Sequence, residues 1–186
     1  HPELINYAGL KWSYRNSEFK VDLDFSVGNE LKAYFGETKI KRIINKIKRE
    51  TKDMEYLEKV KYVYDWIGKN STYDQMFTYA SKNQSIYNVF MNKNAVCAGF
   101  AKASQVIFQN IGVNSMAVSG QHDGVGHMWN LIEYKGKWYY YDSTVAACRK
   151  YGSASFYDGL KSRMFKGYTM DYEEWYPEVS NDINLG

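Results

Sequence analysis

Three residues, Cys97, His127 and Asp142, are of the types that carry out nucleophilic acyl transfer when they lie side by side. A cysteine attacks as its thiolate, a histidine accepts and returns protons, and a carboxylate holds the imidazole in one tautomer and supports its charged form. Taken singly, each residue has a simpler explanation, since a cysteine in an apolar helix is more often an inert core residue. The choice between these interpretations therefore depends on whether the predicted helices and strands bring the three residues together.

Cys97 is predicted to lie at the start of a helix. Apolar residues recur at helical spacing from Ala95 to Ile111, and Gly112 is suited to end the helix. Backbone N–H groups and the helix dipole favour an anion at a helix N-terminus, so the thiolate form of Cys97 should be stabilised there. The small residues that follow, among them Gly99, would let this helix pack closely against a sheet that carries the base.

His127 and Asp142 are predicted to face each other across a β-hairpin. Strands are expected on either side of Lys135-Gly136, which would form a two-residue turn. Counting back from such a turn along both strands places Asp142 opposite Trp129, and therefore diagonally next to His127 on the same face. Diagonal Cβ atoms lie ~7–8 Å apart or slightly less, within reach of a His–Asp hydrogen bond. A three-residue turn would break this parity, so the prediction depends on the turn.

Further side chains are candidates for supporting roles. The Cys97 backbone N–H would be one donor to an oxyanion, and we expect the second donor to be Tyr73, Asn88 or Trp129. His122 precedes His127 on a predicted loop. It either borders the cleft or is an ordinary solvated loop residue.

A metal site is a weaker interpretation of the same residues. Cys97, His122, His127 and Asp142 could in principle ligate zinc, but the sequence has no close Cys-x-x-Cys or His-x-x-x-His pair. We therefore expect neither a metal nor a cofactor. Cys148 is interpreted as structural or incidental, and a disulfide between the two cysteines is left open.

The hydrophobic pattern predicts the elements that position these residues. Period-two alternation around Asn16-Ser17 predicts an antiparallel hairpin, and a helical stripe through Ile40, Ile44 and Ile47 begins a helical region. The predicted elements after this hairpin are two helices within 37–69, a long loop over 70–94 with a short helix near 86–91, a helix over 95–111, a strand over 113–119, a mobile loop over 120–126, and strands over 127–134 and 137–143.

Composition indicates a globular chain and excludes several classes. The 186 residues, 45% hydrophobic and 24% charged, are enough for one domain with a single core. A net charge of +3 is too balanced to indicate nucleic-acid binding. The basic surplus in residues 37–50 is interpreted as a solvated helix face rather than a polymer- or membrane-binding surface. No apolar run approaches the roughly 18 residues that a membrane helix needs.

Three sequence motifs resemble those of bacterial domains in the transglutaminase-like superfamily. They are the cysteine motif AVCAGFA at 95–101, the histidine motif HMWN at 127–130 and the aspartate motif WYYYDST at 138–144. Thr72-Tyr73-Asp74 and His1-Pro2-Glu3 are similar to this group as well, so the resemblance covers nearly the whole chain. It implies a papain-like α+β fold, with a nucleophile at a helix N-terminus packed on an antiparallel sheet. It also implies that the cysteine, histidine and aspartate form a catalytic triad.

We expect a single transglutaminase-like domain over 1–186. Its predicted parts are an N-terminal β-hairpin within 1–30, two helices in 37–69, a catalytic core in 95–144 and an irregular aromatic tail in 145–186.

The resemblance implies chemistry on amide bonds. Members of the group hydrolyse peptides, deamidate glutamine or join glutamine to an amine. We favour hydrolysis as a protease or amidase, because water is always present whereas an amine site must be built. The alternatives are a crosslinking transglutaminase or deamidase on the same triad, and a non-catalytic binding module that keeps the fold.

The expected partner is a peptide or protein substrate, including cell-wall or surface material. We expect a monomer outside a bacterial cell or on its surface, because many domains of this group are secreted. No secretion signal is apparent, and because the chain begins at His1 we expect that an upstream segment was removed.

Overall fold

The computed structural model describes residues 7–15, 17–76, 82–148 and 167–180, which form helices and mainly antiparallel strands. The strands are β1 (Tyr7–Arg15), β2 (Glu18–Phe25), β3 (Thr72–Tyr73), β4 (Asn94–Ala95), β5 (Ser115–His122), β6 (Val125–Tyr134), β7 (Lys137–Tyr141) and β8 (Tyr168–Met170). The helices are α1 (Glu30–Glu50), α2 (Tyr56–Asn70), α3 (Cys97–Ile111) and α4 (Ser143–Ala147), with short helical turns at Lys82–Gln84, Asn88–Asn92 and Glu173–Trp175. The predicted α+β class is confirmed. Among the described helices, none has the length and apolar character needed to cross a membrane.

Helices α1, α2 and α3 surround the main hydrophobic core. The predicted apolar stripe of α1 is buried at Ile40, Ile44 and Ile47. The helix begins at Glu30 rather than near residue 37, because Asn29 caps it by accepting a hydrogen bond from the Lys32 N–H at 2.9 Å. Other members of the core are Val60, Val63, Tyr64, Ile67, Phe100, Ile107 and Phe108. This packing fixes the position of α3, whose first residue is Cys97.

A four-stranded antiparallel sheet in the order β7-β6-β5-β8 lies beside α3. The prediction of a mobile loop over 120–126 is wrong, since β5 continues to His122 and β6 begins at Val125. Asp123 and Gly124 both adopt positive φ, at 50° and 78°, as a tight two-residue hairpin turn requires. The sequence Asp-Gly is one of the strongest signals for that turn. The strand that carries His127 is therefore held in a continuous ladder.

The two faces of this sheet pack against different parts of the chain. One face contributes Ile132 and Tyr141 to the helical core. The other contributes Trp129 and Leu131 to a smaller cluster, which residues from the C-terminal segment cover. The prediction of an irregular tail over 145–186 is corrected here. Residues 143–147 form α4 and Tyr168–Met170 form β8, which adds to the sheet edge at β5. Apart from 148, 167 and 171–180, the rest of that tail lies outside the described residues.

The N-terminal hairpin forms as predicted, but the apolar side chains of its second strand, β2, are exposed. Arg15 pairs with Glu18 across the predicted turn. However, the alternating apolar residues of β2 are 45–66% exposed, and these are Phe19, Val21, Leu23 and Phe25. Alternation of apolar and polar residues indicates that a segment is a strand, but it does not specify what covers the apolar face.

Candidate active site

Cys97 is the first residue of α3, directly after Val96. The N–H groups of Gly99 and Phe100 donate to the Val96 carbonyl oxygen at 2.9 and 3.3 Å. The N–H groups of Cys97 and Ala98 come before this first bonded turn, where a helix provides no internal acceptor. The Cys97 side chain is only partly buried. The start of α3 therefore presents a thiol next to backbone N–H donors, as the sequence predicts.

Close packing on both sides fixes the start of α3. The Val96 N–H donates to the Asn83 carbonyl oxygen at 3.1 Å, and an added Cβ at Gly99 would lie 3.1 Å from that same oxygen. A larger residue would push this loop away from the first turn. On the opposite side, the Asn130 amide of β6 donates to the Ala101 carbonyl oxygen at 3.0 Å in a fully buried position. Helix α3 is thus tied directly to the strand that carries His127.

The β6–β7 hairpin brings His127 to Asp142. Lys135 and Gly136 have φ values of 52° and 75°, and Tyr134 pairs with Lys137, so the predicted two-residue turn is confirmed. Asp142 directly follows the last residue of β7. The His127 Nε2–H donates to Asp142 Oδ2 at 2.8 Å. The diagonal relation predicted from the parity of the hairpin produces the contact.

Asp142 is almost fully buried, at 2% exposed, and accepts hydrogen bonds on both carboxylate oxygens. His127 and the Tyr168 hydroxyl each donate to Oδ2 at 2.8 Å, and the Thr144 N–H donates to Oδ1 at 2.8 Å. Burial raises the pKa of this carboxyl group, but the hydrogen bonds and the positive charge of His127 outweigh burial and leave the pKa lowered. Asp142 is therefore an oriented anion.

His127 lies between Asp142 and Cys97. Burial by itself lowers the pKa of the imidazole, yet hydrogen bonding and charge interactions with Asp142 and Cys97 raise the pKa to about 10. Since Asp142 takes up Nε2, the nitrogen left to interact with the Cys97 sulfur is Nδ1. This arrangement favours a protonated imidazole that bridges the Asp142 carboxylate and the Cys97 sulfur at neutral pH.

The raised pKa of His127 predicts how stability depends on pH. The ion pair contributes fully below the unfolded-state value of about 6.5, where the unfolded histidine is also protonated. The contribution is lost as the pH rises through the folded-state pKa of about 10. We expect the Tm difference between the wild type and His127→Gln to be largest when the pH is near the unfolded-state pKa of about 6.5. The difference should shrink as the pH approaches the folded-state pKa of about 10. Thermal unfolding across this range measures it, and a difference independent of pH would contradict the ion pair.

Two of the predicted oxyanion donors lie inside the protein. Trp129 is 0% exposed, and its ring stacks against His127 with a centroid separation of 5.8 Å. Asn88 is 3% exposed, and its amide donates to the Asn83 side-chain oxygen at 2.6 Å. Trp129 therefore supports the imidazole from behind, and Asn88 belongs to the polar network under the loop that braces α3. Both side chains are enclosed by other parts of the chain.

The other two predicted neighbours do border the site. Tyr73 is half-buried, and burial together with the nearby charges of Cys97 and Asp142 raises its pKa to about 12, so it stays a neutral donor. His122 lies with its ring centroid 5.8 Å from that of His127 and 4.2 Å from that of Tyr168. Tyr73 remains the side-chain candidate for the second oxyanion donor. His122 lies on β5 beside His127 and Tyr168, and not in a loop.

Both cysteines are free thiols, so no disulfide joins Cys97 to Cys148. Burial and the charge of Asp142 raise the pKa of Cys148, which makes it the less reactive type of thiol.

Among the described residues, no three His, Cys, Asp or Glu side chains converge as a group that could hold a metal ion.

Tyr168 is a site residue that sequence reasoning missed. It lies 26 residues after Asp142 in an aromatic segment without a clear period, on a three-residue strand. Nothing local distinguishes it from the other 17 tyrosines of the chain.

The fold and the site together define a class of domain. A cysteine at a helix N-terminus packs beside an antiparallel sheet that carries a hydrogen-bonded His–Asp pair, which is the arrangement of the papain-like α+β fold. The family model described as the transglutaminase-like superfamily matches residues 41–143, more than half of the chain. The chain therefore belongs to the transglutaminase-like superfamily, whose members are usually cysteine-dependent enzymes. The resemblance drawn from the three motifs is confirmed.

One solved structure shares this fold at low sequence identity, and two further solved structures are more distantly similar. A crystal structure of a TGase is 20% identical with a TM-score of 0.52, over 74% of this chain and 44% of that one. A candidate cysteine protease from Cytophaga hutchinsonii is 18% identical with a TM-score of 0.48, over 65% of this chain and 40% of that one. A candidate protease from Parabacteroides distasonis is 14% identical with a TM-score of 0.44, over 69% of this chain and 29% of that one. This chain thus spans less than half the length of each, and no curated protein sequence matches it.

Proposed function

We propose that this protein is a thiol-dependent acyl-transfer enzyme that acts on amide bonds of peptides or proteins, with hydrolysis as its main reaction. The observation that carries the proposal is the chain of contacts from the thiol of Cys97 through the imidazole of His127 to the carboxylate of Asp142. Each group has the chemical type that the reaction requires of it, and His127 and Asp142 form a hydrogen-bonded ion pair.

The first half of the reaction would form a thioester. The Cys97 thiolate attacks the amide carbonyl carbon, and the resulting oxyanion lies near the backbone N–H groups at the start of α3, with Tyr73 as a second donor. The tetrahedral intermediate collapses by breaking the C–N bond. The His127 imidazolium gives its proton to the departing nitrogen, so an amine leaves and an acyl group remains on sulfur.

The second half would return the enzyme to its starting state. Neutral His127 takes a proton from an incoming water molecule, whose oxygen attacks the thioester carbon. Breaking the C–S bond releases a carboxylic acid and restores the thiolate beside the imidazolium. Asp142 supports His127 in both halves without itself being protonated, because its pKa is lowered in the folded protein.

The same acyl-enzyme would also serve a transglutaminase, in which an amine replaces water, or a deamidase. We favour water because it requires no additional site. A non-catalytic binding module would have no need to keep a buried anion, an imidazole and a thiol in contact. The ordered contacts among them therefore favour an enzyme. A peptide or protein substrate outside a bacterial cell, acted on by a monomer, remains the proposed setting.

Product analysis tests the reaction type. A mixed peptide pool is incubated with the protein in oxygen-labelled water and an excess of a fluorescent primary amine, and the products are read by mass spectrometry. We expect the label in new C-terminal carboxylates, which identifies a peptidase. Label only in glutamate side chains would identify a deamidase, and incorporated amine would identify a transglutaminase. If none of these products exceeds that of Cys97→Ser, the enzyme proposal is overturned.

A further inference from the structure

The carboxylate of Asp142 has a second side-chain donor besides His127. The Tyr168 hydroxyl donates to Asp142 Oδ2 at 2.8 Å, the same oxygen and the same distance as the His127 Nε2–H. The other oxygen, Oδ1, accepts the Thr144 N–H. With these three bonds the plane of the carboxylate is fixed, because rotation about its bond to Cβ would break all of them.

Tyr168 is held in place by the sheet. Strand β8 pairs with the end of β5, with Tyr168 opposite His122 and Met170 opposite Gly120. The Tyr168 ring packs edge-on against Trp129, with centroids 5.1 Å apart. An added Cβ at Gly120 would overlap the backbone oxygen of the residue after Tyr168, so glycine at this position permits the close approach of β8.

Tyr168 lies beyond the part of the chain that the family model matches, which ends at residue 143. The cysteine, histidine and aspartate all fall inside the matched residues. The C-terminal segment therefore supplies an additional group to the site, delivered by a strand that this chain adds to the sheet edge.

We propose that Tyr168 is a positioning residue for the proposed acyl-transfer reaction, whose hydroxyl holds Asp142 in the orientation that directs His127 towards Cys97. This inference rests on the proposed function. A neutral donor suits the role because it fixes the carboxylate without cancelling the negative charge that His127 needs. Burial and the neighbouring Asp142 anion raise the pKa of Tyr168 far above its usual range, so the hydroxyl keeps its proton.

The decisive variant is Tyr168→Phe, which keeps the ring and removes only the hydroxyl. Cys97 alkylation by iodoacetamide near neutral pH should slow about tenfold, because a hydrogen bond to a charged group is lost. On a substrate, kcat should fall by a similar factor while KM stays the same, since Tyr168 acts through Asp142. The matched control is Tyr172→Phe on the same segment, whose side chain is 63% exposed and which should change neither rate.

The outcomes separate this proposal from the function on which it rests. If Cys97 of the wild type is itself slow to react, the proposed function fails first. If the wild type is fast and Tyr168→Phe is equally fast, only the positioning role is overturned. If circular dichroism shows that the variant is unfolded, NMR on the wild-type protein with labelled tyrosine tests the contact instead. A ring-to-ring nuclear Overhauser effect between Tyr168 and His127 is expected at a centroid separation of 5.5 Å, and its absence would refute the contact.

Discussion

Replacing Cys97 with serine is expected to abolish amide turnover while leaving the fold intact. The sulfur is the one atom in the site that combines partial exposure, a position at a helix N-terminus and contact with a charged imidazole. A serine hydroxyl in the same place would remain protonated and poorly nucleophilic, because an alcohol gives up its proton much less readily than a thiol. We expect the rate to fall on the order of 10⁴-fold or more, as for other nucleophile deletions.

The second cysteine provides the matched control for this variant. Cys148→Ser removes a thiol of the same chain whose pKa is raised by burial and by Asp142, and which the mechanism does not use. The Cys148→Ser variant should turn over substrate at the wild-type rate. Circular dichroism should show the same spectrum for both serine variants. If Cys97→Ser still turned over substrate at the wild-type rate, a different nucleophile would be operating and the proposed mechanism would be wrong. If binding survived but no form of the protein showed turnover, the binding-module alternative would gain support.

Alkylation kinetics should reveal the pairing of Cys97 with His127. At about pH 6, where an ordinary thiol is almost fully protonated, we expect iodoacetamide to modify Cys97 rapidly and Cys148 hardly at all. In His127→Ala the imidazolium is gone, so the Cys97 rate should drop on the order of 100-fold at that pH. Peptide mass spectrometry reads both cysteines in one sample, so Cys148 serves as the internal standard.

The pH profile distinguishes pairing from simple exposure. A paired thiolate should react at a nearly constant rate from weakly acidic to weakly alkaline pH, because the raised pKa of about 10 keeps His127 protonated throughout. If the His127→Ala profile matched that of the wild type, His127 would have no influence on the sulfur. The contact of the two side chains would then have no chemical consequence, and the enzyme proposal would lose its main support.

Local sequence patterns were sufficient to place the three central residues. The parity of the β6–β7 hairpin follows from Lys135-Gly136, since a two-residue turn with positive φ at both positions sets the register of every pair before it. The position of Cys97 at a helix start follows from the apolar period of α3. Both features depend on residues close together in the sequence, so no knowledge of the rest of the fold was needed.

The same reasoning failed where burial or a distant segment decides. Trp129 and Asn88 were plausible donors by type, but the C-terminal cluster covers the first and the Asn83 network encloses the second. The Asp-Gly turn was available in the sequence, yet the surrounding glycines favoured a loop. The exposed apolar face of β2 could not be foreseen from alternation alone.

By itself, then, the sequence determined the fold class, the three motifs and the geometry within each hairpin and helix. Tertiary structure alone decided that Asp142 would accept a third hydrogen bond, from Tyr168 on a strand 26 residues away. The physical reason is the range of the interactions involved. Turn dihedrals and periodicity are set by neighbours along the chain, whereas β8 is placed by packing on Trp129 and pairing with β5, whose energies depend on surfaces assembled from the whole domain.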